Sequence, residues 1–165
     1  MKFLLVVYHL NSLCKKLIYK LIYRKRLKFN GSVSWRKGFS VLIERNAKVI
    51  IGKNCFFNNY CSLMCREEII IGNGTLLGEN VKVYDHNHRF NKLNVPIKEQ
   101  GFSTAPVVIG SHCWIGSNAV ILKGVHIGNN VVIGAGCVIS KNVKDNTIVK
   151  QNDSVLEGIP LIARD

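Results

Sequence analysis

Two histidines and a carboxylate stand together in the run Val83-Tyr84-Asp85-His86-Asn87-His88-Arg89-Phe90. Histidine ordinarily titrates near neutrality, so it suits the removal of a proton from a hydroxyl as that hydroxyl attacks an electrophile. His88 and His86 are the candidate bases. A carboxylate on the far ring nitrogen would hold the useful tautomer, and Asp85 is the candidate for that place. Taken alone, such a run is as much at home on a solvated loop. Its meaning depends on the elements that hold it.

Those elements are set by a repeat. From Ile109 an aliphatic residue returns every six positions: Ile109, Ile115, Ile121, Ile127, Ile133 and Ile139. Glycine follows four of them directly. Ile71-Gly72, Leu77-Gly78 and Val83 form an earlier block, and Ile51-Gly52, Phe57 and Leu63 a still earlier one. A second column of small or β-branched residues runs beside the first: Cys55, Cys61, Thr75, Val81, Cys113, Ala119, Val125, Val131, Cys137 and Val143. A period of six fits neither a helix nor a simple strand. It fits a coil with three short flat sides, each turning one aliphatic residue inward to stack on the coil above. The predicted fold class is all-β, a parallel β-helix whose ends need caps.

The expected organisation follows. Residues 1–28 form a basic amphipathic helix, residues 29–160 the β-helix and residues 161–165 a C-terminal tail. Within the β-helix, 29–48 lead into the first coil, 49–84 make roughly two coils and 107–144 the last two. Residues 85–106 break the register, because the thirty-eight residues from Ile71 to Ile109 are not a multiple of six. A solenoid carries such an insertion as a loop on one face, often the binding face. This break is where Asp85, His86 and His88 stand, which favours catalysis over a solvated loop.

Charge is concentrated at the start. The chain has a formal net charge of +13. Residues 1–38 hold ten basic residues and no acidic one. Phe3, Val7, Leu10, Leu13, Leu17 and Leu21 recur at helical spacing beside a basic row of Lys16, Lys20 and Arg24. The longest apolar run there, Phe3 to Tyr8, is far too short to span a bilayer. Two readings compete: a cap or subunit-contact helix with a solvated basic face, and a helix lying on an anionic membrane. No base-stacking or DNA-binding motif accompanies the charge, so nucleic acid is not an expected partner. The six cysteines include no C-x-x-C pair, and four of them sit in the small-residue column, as small hydrophobes do. No metal is expected. With no signal peptide in view, the expected location is cytoplasmic.

Four segments carry a resemblance: Asn87-His88-Arg89-Phe90, Ala105-Pro106-Val107-Val108-Ile109-Gly110, Cys113-Trp114-Ile115-Gly116-Ser117-Asn118, and Ile133-Gly134-Ala135-Gly136-Cys137-Val138-Ile139-Ser140-Lys141. From about Lys48 to Pro160 the chain resembles the bacterial hexapeptide-repeat acyltransferases, and among them the sugar and polysaccharide O-acetyltransferases. The resemblance implies a left-handed coil, a homotrimer with active sites between subunits, acetyl-coenzyme A as co-substrate and a sugar or glycan hydroxyl as acceptor. It places the catalytic histidine on His88. Trp114 matches a cleft tryptophan and Asn59 an acceptor-binding asparagine. Ser117, Ala135, Ser140 and Lys141 match positions that contact the coenzyme. Galactoside-type relatives carry His-Pro where this chain has His88-Arg89, which argues against a simple galactoside enzyme. Two other classes stay open: a zinc-dependent, carbonic-anhydrase-like β-helix using His86, His88, His112 and His126, and a non-catalytic scaffold. The amphipathic helix would set the protein at the inner face of the membrane.

Overall fold

The computed structural model describes residues 14–150. The expectations for residues 1–13, for the end of the β-helix at 151–160 and for the 161–165 tail lie outside these. Among the described residues, eighteen short strands form three parallel sheets and one antiparallel ribbon. The first sheet holds β1 (Leu27–Phe29), β4 (Lys48–Ile51), β7 (Glu68–Ile71), β12 (Val107–Ile109) and β15 (His126–Ile127). The second holds β2 (Val33–Trp35), β5 (Cys55–Phe57), β8 (Leu76–Leu77), β13 (Trp114–Ile115), β16 (Val132–Ile133) and β18 (Ile148–Val149). The third holds β3 (Ser40–Ile43), β6 (Ser62–Cys65), β9 (Lys82–Tyr84), β14 (Val120–Ile121) and β17 (Val138–Ile139). The ribbon pairs β10 (His86–His88) with β11 (Phe102–Thr104). Each circuit of the chain lays one strand in each sheet, giving the parallel β-helix that the hexads predict, with the left hand that the resemblance implies.

The register is the repeat made visible. Ile51, Ile71, Ile109 and Ile127 stack in the first sheet, and Phe57, Leu77, Ile115 and Ile133 in the second. Leu63, Val83, Ile121 and Ile139 stack in the third. All twelve are buried and form one continuous core. Backbone groups are satisfied from coil to coil, as where Gly72 N donates to Ile109 O at 2.8 Å and Gly110 N to Ile127 O at 2.8 Å. At the corner after the first sheet the coils touch backbone to backbone. A Cβ on Gly72 would stand 2.5 Å from the Gly110 carbonyl carbon, so only glycine fits there.

The second column has a chemical logic. Cys55 Sγ donates to Gly72 O (3.0 Å), Thr75 Oγ1 to Gly110 O (2.8 Å) and Cys113 Sγ to Gly128 O (3.1 Å). Cys61 Sγ likewise reaches Gly78 O at 3.0 Å. At these four places a small side chain with one donor closes the corner, which is why a threonine replaces cysteine there, while Val81, Ala119, Val125 and Val131 fill the same column without a donor. Burial raises the pKa of Cys55, Cys65 and Cys113, and pushes Cys61 up to about 11. A thiol whose folded pKa lies above its unfolded value contributes stability below the unfolded value. That contribution is lost as pH rises toward the folded one. The denaturation midpoint is therefore expected to fall from about pH 9 upward, read by denaturant titration at pH 8 and pH 10. At pH 8 only Cys14, the exposed thiol, is expected to alkylate without denaturant. Rapid native labelling of Cys61 would contradict the assignment.

Two differences from the expected organisation stand out. A helix, α1, occupies residues 14–23, but Leu27–Phe29 is already strand β1, so the helix ends short of residue 28. Residues 27–43 complete a coil of their own rather than leading into one. Its inward column, Phe29, Trp35 and Val41, stands in register with Ile51, Phe57 and Leu63 at a spacing of six, but no glycine follows any of the three and ten residues separate Val41 from Ile51. Helix α1 caps it. Tyr19 and Tyr23 donate their hydroxyls to Phe39 O (3.2 Å) and Val41 O (2.9 Å). Arg26 Nη1 donates to Ile43 O and Glu44 O, both at 2.9 Å. The Lys16 ammonium lies 5.5 Å from the Trp35 ring centre.

Candidate active site

Loop 85–106 leaves the corner between the third and first sheets, directly after β9. Its base is closed by Ala105 N donating to Asp85 O at 2.9 Å, and its arms are zipped as β10 and β11. Alternation along β10 sets His86 and His88 on one face of the ribbon and Asn87 on the other. Both imidazoles meet Phe102 of β11. The His86 ring is 5.5 Å from it edge-on, and the His88 ring 4.3 Å away and tilted. The Arg66 guanidinium lies 3.4 Å from the Phe102 ring centre and pairs with Glu44 at 3.1 Å. Phe102 is thus held between two imidazoles and one cation. Neither Phe102 nor Arg66 carried a signal in the sequence, because one comes from the far arm of the loop and the other from the coil before.

Asp85 is fully buried. Its carboxylate accepts Arg66 N (2.8 Å), Glu67 N (2.7 Å), Cys65 Sγ (3.2 Å) and His86 Nδ1 (3.0 Å). Since an ionised carboxylate only accepts, His86 donates to it from Nδ1 and keeps Nε2 for other partners. Asp85 therefore orients His86, one residue away, and not His88. The Asp85 carboxylate also helps to raise the pKa of Cys65, behind the larger effect of burial. His88 is exposed and opens on a cavity of about 310 Å³ lined by Arg89, Phe90, Asn91 and Ser103. Its ring makes no hydrogen bond among the described residues. Arg89 braces the same turn, donating from Nε to Phe102 O at 2.9 Å.

The remaining candidates fall on three parts of the coil. Ser140 and Lys141 follow β17, at the same corner as the loop and two coils further on. Asn59, Ser117 and Ala135 share the corner between the second and third sheets. There they form one ladder with Glu79: Asn80 N donates to Asn59 O, Asn118 N to Glu79 O and Gly136 N to Ser117 O. Asn59 Nδ2 donates to Glu79 Oε1 at 2.7 Å, and Ser117 Oγ accepts Glu79 N at 3.1 Å. Trp114 is 57% exposed on the outer face of the second sheet, between Leu76 and Val132. One chain thus divides the candidates between two corners and a face. His112 sits at another corner with φ of 57°, and His126 on the first sheet. Among the described residues no group of three or more His, Cys, Asp or Glu is placed to hold a metal ion.

Residues 106–141 match the family described as bacterial transferase hexapeptide (six repeats). The chain is 31% identical over 108 residues to the "Putative lipopolysaccharide biosynthesis O-acetyl transferase WbbJ" of Escherichia coli (strain K12), a match covering 61% of this chain and 55% of that protein. It is similar in structure to a hexapeptide-repeat-containing acetyltransferase of Vibrio cholerae, with TM-score 0.65, 25% identity, and coverage of 82% of this chain and 73% of that one. It is also similar to galactoside acetyltransferase in complex with coenzyme A, with TM-score 0.62, 26% identity, and coverage of 78% and 63%. The chain spans about half the length of the curated relatives it matches.

Proposed function

From a chain that carries the bacterial transferase hexapeptide repeat, we propose an acyltransferase that moves acetyl from acetyl-coenzyme A to a hydroxyl of a sugar or polysaccharide. The observation that carries this reading is the imidazole ribbon at the one large break in the coil. Ser140 and Lys141 lie at the same corner two coils on. The coenzyme in the complex with galactoside acetyltransferase supports the donor, and the name of the E. coli relative supports a glycan acceptor. Such a protein would work in the cytoplasm, where acetyl-coenzyme A is made.

The acceptor oxygen attacks the thioester carbonyl carbon while His88 Nε2 takes its proton. The C–O bond forms and a tetrahedral oxyanion results, stabilised by donors fixed in the site. The oxyanion then collapses, the C–S bond breaks, and the leaving thiolate takes the proton back from His88. Much of the acceleration comes from holding the two substrates in line. Lys141 would meet a phosphate of the coenzyme as a point charge. Ala135, between two glycines, would let the pantetheine arm approach the backbone. Burial and raised pKa argue against a cysteine nucleophile, so transfer is direct.

The hydrogen bond from His86 to Asp85 favours a second assignment, in which His86 is the base and His88 binds the acceptor. A homotrimer fits both. The loop corner, the Asn59–Ser117–Ala135 ladder and Trp114 face different ways on one chain, and a neighbouring copy would bring them into a shared cleft. The zinc reading is less favoured because His112 and His126 lie on other elements than His86 and His88.

The donor assignment is tested by calorimetric titration with acetyl-coenzyme A. The protein is expected to bind it, and Ala135→Arg to weaken binding at least about tenfold by filling the approach to the backbone. Ala135 is exposed, so the variant is expected to melt as the parent does. Failure of the parent protein to bind would overturn the acyltransferase reading.

A further inference from the structure

Helix α1 has two unlike sides. Tyr19 and Tyr23 face the coil, tied to Phe39 O and Val41 O. On the opposite side Leu17, Ile18, Leu21 and Ile22 are 51–76% exposed. At 100° per residue these four make one stripe. An ordinary surface helix turns its leucines to the core. Here the inward places belong to tyrosines, and the helix cannot roll without breaking both hydroxyl bonds. Lys15 lies along one edge of the stripe, and Lys20 and Arg24 along the other. No acidic residue precedes Glu44 in the whole chain.

An apolar stripe between basic edges is complementary to hydrocarbon beneath a plane of negative charge. A second copy seated on this face would bring the same positive charges against each other, which opposes that pairing. No helix among the described residues is long and apolar enough to cross a membrane. We propose that α1 seats the protein on an anionic lipid surface, with Leu17, Ile18, Leu21 and Ile22 in the boundary between headgroups and acyl chains. Because α1 lies on the first coil, the β-helix stands on that end. Loop 85–106 leaves the third coil, roughly 10 Å higher at the usual strand spacing. On the acyl-transfer reading, which this last point rests on, that height suits a glycan carried on a lipid.

The test is sedimentation of the full chain with vesicles of phosphatidylcholine, with and without phosphatidylglycerol. Binding is expected to require phosphatidylglycerol and to weaken with salt. The double variant Leu17→Ser/Leu21→Ser is expected to lower the partition coefficient at least about tenfold without changing the melting temperature. Cys14, on the same side of α1, is expected to lose its reactivity toward iodoacetamide when phosphatidylglycerol vesicles are present. Equal binding to neutral vesicles, or undiminished binding by the variant, overturns the proposal. A lowered melting temperature or altered oligomeric state of the variant overturns it as well, since protein would then cover the stripe. Acetyl-coenzyme A titration of the same preparation reports separately on the acyl-transfer reading.

Discussion

His88→Ala is expected to lower the turnover of acetyl-coenzyme A with a glycan acceptor by about 10²–10⁴-fold, the usual contribution of a positioned general base. Coenzyme affinity is expected to stay within about twofold, because the cavity at His88 lies on the loop and not along the late coils. The substitution costs little stability. The His88 ring is exposed, packs on the Phe102 ring and makes no hydrogen bond among the described residues, so its removal leaves no buried group without a partner. His86→Ala is the informative companion. If His88 is the base, this variant keeps measurable turnover and loses only the order of the ribbon face that His86 and Phe102 share. If instead His86→Ala abolishes turnover while His88→Ala mainly raises KM, the base is His86 and the bond to Asp85 is what makes it one. Paired kcat and KM values on one glycan decide between them.

The second large effect is expected at Asp85. Its carboxylate is buried and is the acceptor for two backbone N–H groups, a thiol and an imidazole. Asp85→Ala leaves the part-buried Arg66 N and Glu67 N without that acceptor and frees the His86 ring to turn. Each unpaired buried donor costs about 1–3 kcal/mol, so a loss of roughly 3 kcal/mol or more is expected in a denaturant titration. Asp85→Asn keeps one acceptor oxygen but sets an amide N–H against donors, and is expected to fall between. Turnover should drop with both variants by way of the ribbon. A loss below about 1 kcal/mol for Asp85→Ala would show that the loop base does not depend on the carboxylate.

The later coils were legible in the sequence because their geometry is strict. A side only two or three residues long, closed by a glycine or a left-handed asparagine, forces the inward residue to return at six. Ile109 through Ile139 obey that rule without a gap. The first coil was not legible because its column, Phe29, Trp35 and Val41, is marked by no following glycine and ten residues separate Val41 from Ile51 in the next coil. The break at residue 85 was legible as a lost register, and it led directly to Asp85, His86 and His88. Which imidazole the carboxylate holds was not, since adjacent and next-but-one placements look alike until β10 fixes the alternation. Arg66 and Phe102 were invisible because their meeting depends on the loop folding back across the coil. Leu17 and Leu21 share one exposed face of α1, as their spacing predicts, and the earlier members of that row lie outside the described residues. That this face turns away from the coil follows from Tyr19 and Tyr23, whose hydroxyls give them the better fit to open backbone carbonyls at the first coil.

The most direct test of acyl transfer to a glycan is release of coenzyme A thiol from acetyl-coenzyme A, followed with a panel of free sugars and lipid-linked glycans. Acyl transfer of this kind predicts release that needs both the protein and a hydroxyl-bearing glycan, with acetyl recovered as an ester on that glycan. Acetyl-coenzyme A that neither binds nor turns over with any member of the panel would contradict it.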